Sequence, residues 1–303
     1  MHISSSLPVP ARVGVIGAGR VGAVVAAALG AAGHDVVAAH GLSDTSRARA
    51  ADLLPGVPLL GIAAVVERCD LLLLTVPDDP LPGLVQGVAR SGGFRPGQVV
   101  AHTSGRHGVG VLAPAATQGA RVLALHPAMT FTGTAVDLDR LAGTRFGVTC
   151  ADSDLPLAQS LVRTLGGVPV VVAEHDRPLY HAALAHGANH LVTLVADAMD
   201  LLAQAGVADP AATLQPLLTA ALDNALSRGS AALTGPVARG DAGTVAAHLR
   251  RIGQVAPDSV ELYAALARHT AARAVADGRL RPQDAAGLLD VLATVRTPTA
   301  RTA

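Results

Sequence analysis

The sequence contains neither lysine nor tryptophan, so all 23 of its basic side chains are arginines. Mechanisms that need a lysine as acid, base or Schiff-base former are therefore excluded. Aromatic residues make up only 2% of the chain, which leaves few platforms on which bases or sugars could stack. The formal net charge is zero, and the absence of a basic surplus argues against a nucleic-acid partner.

Long apolar runs are also missing, so we expect no membrane-spanning segment and no contact with a membrane. Residues 1–10 carry neither a basic region nor an apolar stretch, which predicts that they are not a signal peptide. The two cysteines, Cys69 and Cys150, are far apart and belong to no Cys/His metal motif. We interpret both as buried thiols of a cytoplasmic protein, and we expect no metal.

A glycine-rich stretch organises the N-terminal part of the chain. An apolar strand over residues 13–16 is followed by a helix that reaches about residue 32, and the GxGxxG junction lies between them. In such a junction the first glycine permits a tight turn, the second admits phosphates close to the backbone, and the third allows close helix packing. The pattern predicts a dinucleotide site at the helix N-terminus. Its candidate residues are Gly17, Ala18, Gly19, Arg20, Val21 and Gly22.

The second strand, over residues 36–39, bears on the choice between NAD and NADP. Sites that prefer NAD usually place a carboxylate at the end of this strand, and none is present here. Ser43, Arg47 and Arg49 follow and could bind a 2′-phosphate, so we expect NADP, with NAD as the less favoured cofactor. The alternative is that Ser43 caps the next helix and the arginines are solvated.

Three later strands deliver polar residues at their carboxyl ends, where ligands bind in open parallel sheets. Val76, Pro77 and Asp78 follow one of them, and we expect them to border the cofactor, although Asp78 and Asp79 could instead cap a helix. The next two strands are followed by Thr103 and Ser104 and by His126. This convergence predicts one crevice at the edge of the sheet.

Strand–helix alternation stops near residue 174, and the rest of the chain reads as helices, the first over residues 175–205. The sequence thus predicts an α/β dinucleotide-binding domain over residues 11–173 and a helical substrate or dimerisation domain over residues 174–297. His186 and His190 lie four residues apart on the long helix, a spacing that can hold a metal. Without a third ligand, a solvated or interface stripe is the preferred interpretation.

The motifs together resemble a family of oxidoreductases whose Rossmann-like half is followed by a helical domain of unknown function. The resemblance covers about residues 11–275, and its motifs are residues 17–22, 75–79, 102–105, 125–127, 180–181, 189, 233–236 and 239–241. More distantly, the layout is similar to 6-phosphogluconate dehydrogenase-like enzymes, including pyrroline-5-carboxylate reductase and ketopantoate reductase. This resemblance implies a doubly wound sheet, an all-α 6-phosphogluconate dehydrogenase C-terminal-like domain, and a homodimer formed through the helices.

One departure from those relatives affects the mechanism. β-Hydroxyacid dehydrogenases and ketopantoate reductases carry a lysine four residues before an asparagine on the long helix. Here the asparagine is Asn189, but Ala185 occupies the lysine position. The lysine-based proton transfer of those enzymes therefore does not carry over.

Without a lysine, we expect a histidine to supply the proton, since imidazole titrates near neutral pH. The candidates are His126 and His181. Asn189 could hold the substrate oxygen, and Ser104 with the Gly105 N–H could bind a substrate carboxylate. Thr234 and Asp241 are further candidates that could act across a dimer interface.

These residues predict an NADP-dependent oxidoreductase that reduces a small carbonyl or imine compound. The missing lysine keeps a second hypothesis open, namely a sensor or regulatory protein that binds NADP without catalysis. A third hypothesis is a different hydride carrier, such as a deazaflavin.

Overall fold

A computed structural model describes residues 10–295 of the chain. Residues 1–9, which include nearly all of the segment expected not to be a signal peptide, lie outside the described residues. The chain divides into two compact units after Gly187, inside the long helix. The boundary expected between residues 173 and 174 stays a prediction.

The first unit alternates strands and helices as the sequence predicts. Its strands are β1 (Arg12–Ile16), β2 (Asp35–His40), β3 (Leu71–Leu74), β4 (Val99–His102), β5 (Arg121–Pro127), β6 (Arg145–Thr149) and β7 (Val168–Val171). Its helices are α1 (Arg20–Ala31), α2 (Asp44–Leu53), α3 (Ile62–Arg68), α4 (Leu81–Arg90), α5 (Ala113–Thr117), α6 (Val136–Leu141) and α7 (Leu155–Thr164). Short 3₁₀ turns precede α5, α7 and the long helix that begins at Arg177.

The seven strands form one sheet in the order β2-β1-β3-β4-β5-β6-β7. All neighbouring pairs are parallel except β5 with β6. The chain moves from β1 to β2 on one side and returns to β3 on the other, so the strand order reverses between β1 and β3. Ligands in open α/β sheets bind at such a switch point, outside the carboxyl ends of the strands. The glycine-rich junction lies at this point.

Apolar clusters cover both faces of the sheet, as expected for parallel strands. The run Leu71–Leu74 is buried throughout because each face of β3 meets helices. Cys69 is fully buried, and burial raises its pKa to about 11. Cys150, which directly follows β6, is only half-buried. The expectation of two buried thiols is therefore wrong for this residue.

The remaining elements are helices. They are α8 (Arg177–Gln204), α9 (Pro210–Arg228), α10 (Gly235–Ala238), α11 (Ala242–Val255), α12 (Ser259–Ala276) and α13 (Pro282–Ala293), and α8 contributes its first turns to the first unit. The core of the second unit lies among α11, α12 and α13, with Val245, Ala264 and Leu288 fully buried. Among residues 10–295, no helix is long and apolar enough to span a membrane.

Candidate functional site

The glycine-rich junction is shaped by close backbone packing against Thr75, which follows β3. Gly17 has a φ of 100°, and a Cβ on it would lie 2.9 Å from the Thr75 carbonyl oxygen. A Cβ on Gly22 would overlap with both the Thr75 hydroxyl oxygen and the Gly17 carbonyl oxygen. The Thr75 hydroxyl donates to the Gly17 carbonyl oxygen at 2.7 Å. Thr75 therefore holds the turn, and both glycines are required by packing.

Gly19 differs from these two glycines. It is the N-cap of α1, and a Cβ on it would meet no protein atom closer than 3.8 Å. No side chain in the described part of the chain caps the helix, and its first turn contains no acidic residue. The first-turn N–H groups of Arg20, Val21 and Gly22 have no intrahelical acceptor. An uncapped helix N-terminus beside a glycine that packing does not require fits a pyrophosphate.

The groups at the end of β2 are engaged in local contacts. His40 occupies the strand end where NAD-preferring sites carry a carboxylate, and its Nδ1 lies 2.9 Å from the Leu60 carbonyl oxygen. Ser43 caps α2 by accepting the Ser46 N–H, which is the alternative considered for this residue. Arg47 donates to the Leu42 carbonyl and pairs with Asp44.

The loops after β3 and β4 contact each other. Arg106 reaches both carboxylates of the first loop, with its Nη2 3.4 Å from Asp79 and its Nε 4.0 Å from Asp78. His107 lies 3.2 Å from the Asp78 carbonyl oxygen. The N-cap of α4 is Pro80 and has no side-chain cap, so the capping interpretation of Asp78 and Asp79 is wrong.

A buried histidine, His102, orders the loop after β4. Its Nδ1 accepts the Ser104 N–H at 3.1 Å, so its Nε2 carries the proton and donates to the Gly108 carbonyl oxygen at 2.9 Å. Burial lowers its pKa to about 4 and thus keeps the ring neutral. The Ser104 hydroxyl accepts the His107 N–H at 3.0 Å. Ser104 is thereby fixed at the loop's turn.

The two candidate acids, His126 and His181, come together around Gly105. Their rings are perpendicular, with centroids 5.9 Å apart. A Cβ on Gly105 would lie 2.5 Å from Cδ2 of His181 and 2.9 Å from Nε2 of His126. The Gly105 backbone therefore lies against both imidazoles, and only glycine fits between them. Three distant segments of the sequence meet here.

Tyr180 completes this cluster. Its hydroxyl lies 3.1 Å from Nδ1 of His126, and its ring covers the backbone of Gly147 in β6, where a Cβ would lie 2.7 Å from the hydroxyl oxygen. The guanidinium carbon of Arg177, one turn earlier on α8, lies 6.0 Å from the centre of the Tyr180 ring. Arg177 is fully buried.

The electrostatics of the cluster keep His126 uncharged. Its pKa falls to about 4, mainly because the ring is desolvated and then because Arg177 and His181 lie near. His102 acts in the same direction, and Asp78 opposes it. Burial raises the pKa of Tyr180, against the influence of Arg177. At neutral pH the cluster holds a neutral imidazole, a protonated phenol and a buried guanidinium.

Three further candidate residues belong to the second unit. Asn189 is exposed on α8 and belongs to the second unit. Thr234 is the N-cap of α10, and Asp241 caps α11 by accepting the Thr244 N–H at 3.0 Å. No group of three metal-binding side chains occurs among the described residues.

Sequence reasoning missed Arg177, Tyr180 and the internal role of His102. The signal for Tyr180 is its place beside His181 in a family motif, and a glycine inside a strand, Gly147, is typical of a close approach by another group.

Two family models match this chain. Residues 4–127 match the Rossmann-like domain, and residues 144–270 match DUF2520, a domain of unknown function. The chain joins a Rossmann-like domain to a DUF2520 domain. This agrees with the expected family. No curated protein matches the sequence.

Several solved structures share the fold. A candidate NADP oxidoreductase from Bacteroides fragilis is 21% identical, with a TM-score of 0.72 over 86% of this chain and 98% of its own. An imine reductase from Pseudomonas sp. is 18% identical, with a TM-score of 0.59 over 89% and 99%. The NADP-bound pyrroline carboxylate reductase of Plasmodium falciparum is 10% identical, with a TM-score of 0.55 over 87% and 98%. At these identities the likeness establishes a shared fold.

Proposed function

We propose that this Rossmann-like/DUF2520 protein is an NADP-dependent oxidoreductase that reduces a small carbonyl or imine compound. The observation that carries the proposal is the cluster of His126, His181 and Tyr180 at the carboxyl ends of the strands. The same edge of the sheet holds the uncapped glycine junction. Proteins with this fold include a candidate NADP oxidoreductase, an NADP-bound pyrroline carboxylate reductase and an imine reductase, which gives independent support.

In this proposal the pyrophosphate binds the first-turn N–H groups of α1 over Gly19. Thr103, Val76, Pro77 and Asp78 border the nicotinamide half. The 2′-phosphate is bound near the start of α2, where Arg47 exchanges its contact with Asp44 for the more highly charged phosphate. When bound, the reduced nicotinamide supplies hydride to the substrate.

The protein's own contribution is to orient the substrate and supply a proton. His126 and His181 are the candidate proton donors. The backbone of Gly105 lies against both imidazole rings. Ser104 holds the loop that presents this backbone. Asn189 stays a candidate for binding the substrate oxygen.

The first experiment is a titration of the purified protein with NADPH, NADH and a deazaflavin cofactor, followed by fluorescence and thermal stability. We expect selective binding of NADPH. Preference for NADH would contradict the 2′-phosphate assignment. Absence of any nucleotide binding would overturn the oxidoreductase proposal. NADPH binding without cofactor oxidation in a screen of keto acids and imines would favour the sensor hypothesis.

Arg47→Ala separates the two cofactors within the same assay. Loss of the guanidinium should weaken NADPH binding about tenfold and leave NADH binding unchanged, because only NADPH carries the 2′-phosphate. Arg163→Ala on α7, whose exposed side chain donates to Gln159 one turn earlier on the same helix, serves as the control. Equal losses for both cofactors would contradict the assignment.

We further propose that the protein is a homodimer formed through its helical part. None of the 19 residues of α9 is buried, and two of its leucines are largely exposed to solvent. Leu217 is 64% exposed and Leu226 is 80% exposed. On α8, Val192 is 70% exposed. Monomeric proteins rarely expose such apolar helix faces, and a second copy would cover them. Sedimentation analysis should give a dimer, and Leu226→Glu should dissociate it.

A further inference from the structure

Arg177 carries an uncompensated charge inside the first unit. Its side chain is fully buried, and its Nε and Nη2 have no hydrogen-bond partner among residues 10–295. Only Nη1 donates, to the Gly147 carbonyl oxygen at 3.4 Å. The Glu174 carboxylate lies near enough to affect the pKa of Arg177, but its two oxygens accept the N–H groups of Val109 and Gly110. Burying such a cation costs stability, so stability does not account for this arginine.

The buried charge lies next to a hydrogen-bonded pair. Arg177 and Tyr180 are three residues apart on α8 and so share a helix face, with the guanidinium carbon 6.0 Å from the ring centre. The Tyr180 hydroxyl in turn lies 3.1 Å from Nδ1 of His126. The opposite nitrogen of His126, Nε2, faces Gly105. The three side chains therefore form a row that ends at the loop after β4.

We propose that Arg177, Tyr180 and His126 form a proton relay that ends at Nε2 of His126. The proposal rests on the reductase function proposed above. In the relay, the His126 Nε2–H bond breaks as the substrate oxygen or nitrogen gains that proton. The Tyr180 O–H bond breaks as Nδ1 gains a proton, so the imidazole stays neutral throughout. The resulting tyrosinate is stabilised by Arg177. The relay is reset when Nε2 takes up a proton from solvent and Nδ1 returns its proton to the tyrosinate.

The relay resolves a difficulty with His126 as a simple acid. An imidazole whose pKa is about 4 is almost never protonated at neutral pH, so it cannot act as an imidazolium donor. Protonation of Nδ1 by Tyr180 lets the neutral ring release its Nε2 proton. In this scheme His126 is the catalytic residue, whereas Tyr180 and Arg177 are positioning residues that act through it. The other charged or titratable groups facing His126 are His181, His102 and Asp78.

The composition of the chain makes the relay directly measurable. The sequence has no tryptophan and only two tyrosines, so Tyr263→Phe leaves Tyr180 as the only phenol. Ultraviolet titration of tyrosinate in this background reports the Tyr180 pKa without cofactor or substrate. Arg177→Met should raise that pKa by about one unit or more, because an adjacent cation favours tyrosinate. Arg177→Lys should largely restore the lower value. An unchanged pKa in Arg177→Met would overturn the relay.

A second measurement does not depend on how well the Arg177 variants fold. Nitrogen-15 NMR of the Tyr263→Phe protein, with the His126 signals assigned by their loss in His126→Asn, identifies which ring nitrogen carries hydrogen. The relay requires hydrogen on Nε2 and an accepting Nδ1. Hydrogen on Nδ1 would overturn it. A protein with both signatures that binds no NADPH would overturn the proposed function while keeping the relay geometry, so the two failures are distinguishable.

Discussion

The molecule contains two histidine–tyrosine pairs with nearly the same internal geometry. In the first unit the Tyr180 hydroxyl lies 3.1 Å from His126 Nδ1, and in the second the Tyr263 hydroxyl lies 2.7 Å from His248 Nδ1. The ring centroids are 5.6 Å and 5.9 Å apart, and both pairs are nearly perpendicular. The contact itself therefore does not distinguish a reactive pair from a structural one.

The surroundings of the two pairs differ. His126 is the penultimate residue of β5 and lies against Gly105, and the nearby charge of buried Arg177 lowers its pKa. His248 is exposed on α11, and its tyrosine reaches it from α12. The first pair is thus a desolvated arrangement at the edge of the sheet, whereas the second joins two helices at the surface. We associate three features of the first pair with function: the burial of its rings, the contact with the Gly105 backbone, and the fixed charge of Arg177.

The largest expected effect is a difference in turnover between variants of the two histidines. On a substrate found in the screen, His126→Ala should lower kcat by about 10² to 10⁴, the usual contribution of a positioned proton donor. His248→Ala should keep the wild-type rate because its pair lies at the surface of the second unit. Steady-state kinetics with NADPH measures both.

His181→Ala completes this test because His181 is the other candidate donor. His126→Ala and His181→Ala should not both keep full turnover. Wild-type rates in both variants would remove the histidine cluster from the mechanism, and loss only in His181→Ala would assign the proton to that residue.

The next effect concerns the backbone that closes the first pair. Gly105→Ala places a Cβ 2.5 Å from His181 and 2.9 Å from His126, so the rings must move. We expect a loss of about 1–3 kcal/mol in unfolding free energy, typical of overpacking, together with reduced turnover. Gly253→Ala, on the helix that carries His248, is the matched control.

A Cβ on Gly253 meets only Val260, at 3.8 Å, and alanine favours the helix. This variant should be neutral or slightly stabilised in thermal denaturation. Similar losses in the two alanine variants would mean that the close packing around the first pair is not special.

Much of this organisation could be predicted because it depends on local sequence patterns. The order of strands and helices followed from periodicity, and the position of His126 followed from the rule that parallel strands end at one edge. Gly17 and Gly22 were recognised by spacing, and packing against Thr75 gives the physical reason.

The parts that could not be predicted depend on contacts between distant segments. Arg177 is an ordinary charged residue at a helix start in the sequence, and its burial depends on the antiparallel placement of β6, which brings Gly147 beside α8. Likewise, the spacing around Ser43 is compatible with a helix cap as well as with a phosphate site, and the structure alone reveals the cap. Patterns identify residue types near an edge, whereas pairwise contacts require the fold.

A smaller effect should appear in the pH dependence of stability. An unfolded histidine titrates near 6.5, whereas His126 in the folded chain has a pKa of about 4. The unfolded chain binds this proton more readily than the folded chain does. The contribution of His126 to the unfolding free energy is therefore complete above about pH 6.5 and is lost as the pH falls toward 4. Between pH 7 and pH 5 the part due to His126 is on the order of 1–2 kcal/mol.

Denaturant unfolding at these two pH values measures this effect. His126→Asn should reduce the loss on acidification, and His102, which is shifted in the same direction, accounts for part of what remains. His248→Asn keeps both buried rings and should therefore show the full loss. An undiminished loss in His126→Asn would contradict the desolvated state of its ring.

The smallest effect is the difference in stability between two variants that each remove one of the tyrosine hydroxyl groups. Tyr263→Phe removes a hydrogen bond that water can replace, because His248 is exposed, so it should cost no more than about 0.5–1 kcal/mol. Tyr180→Phe should cost more, about 1–3 kcal/mol, because it leaves Nδ1 of the desolvated His126 ring without a partner. Thermal and denaturant unfolding of the two variants gives the difference directly. If Tyr263→Phe were the more costly, the exposed pair would be the better-ordered one, and burial would not explain why the two pairs differ.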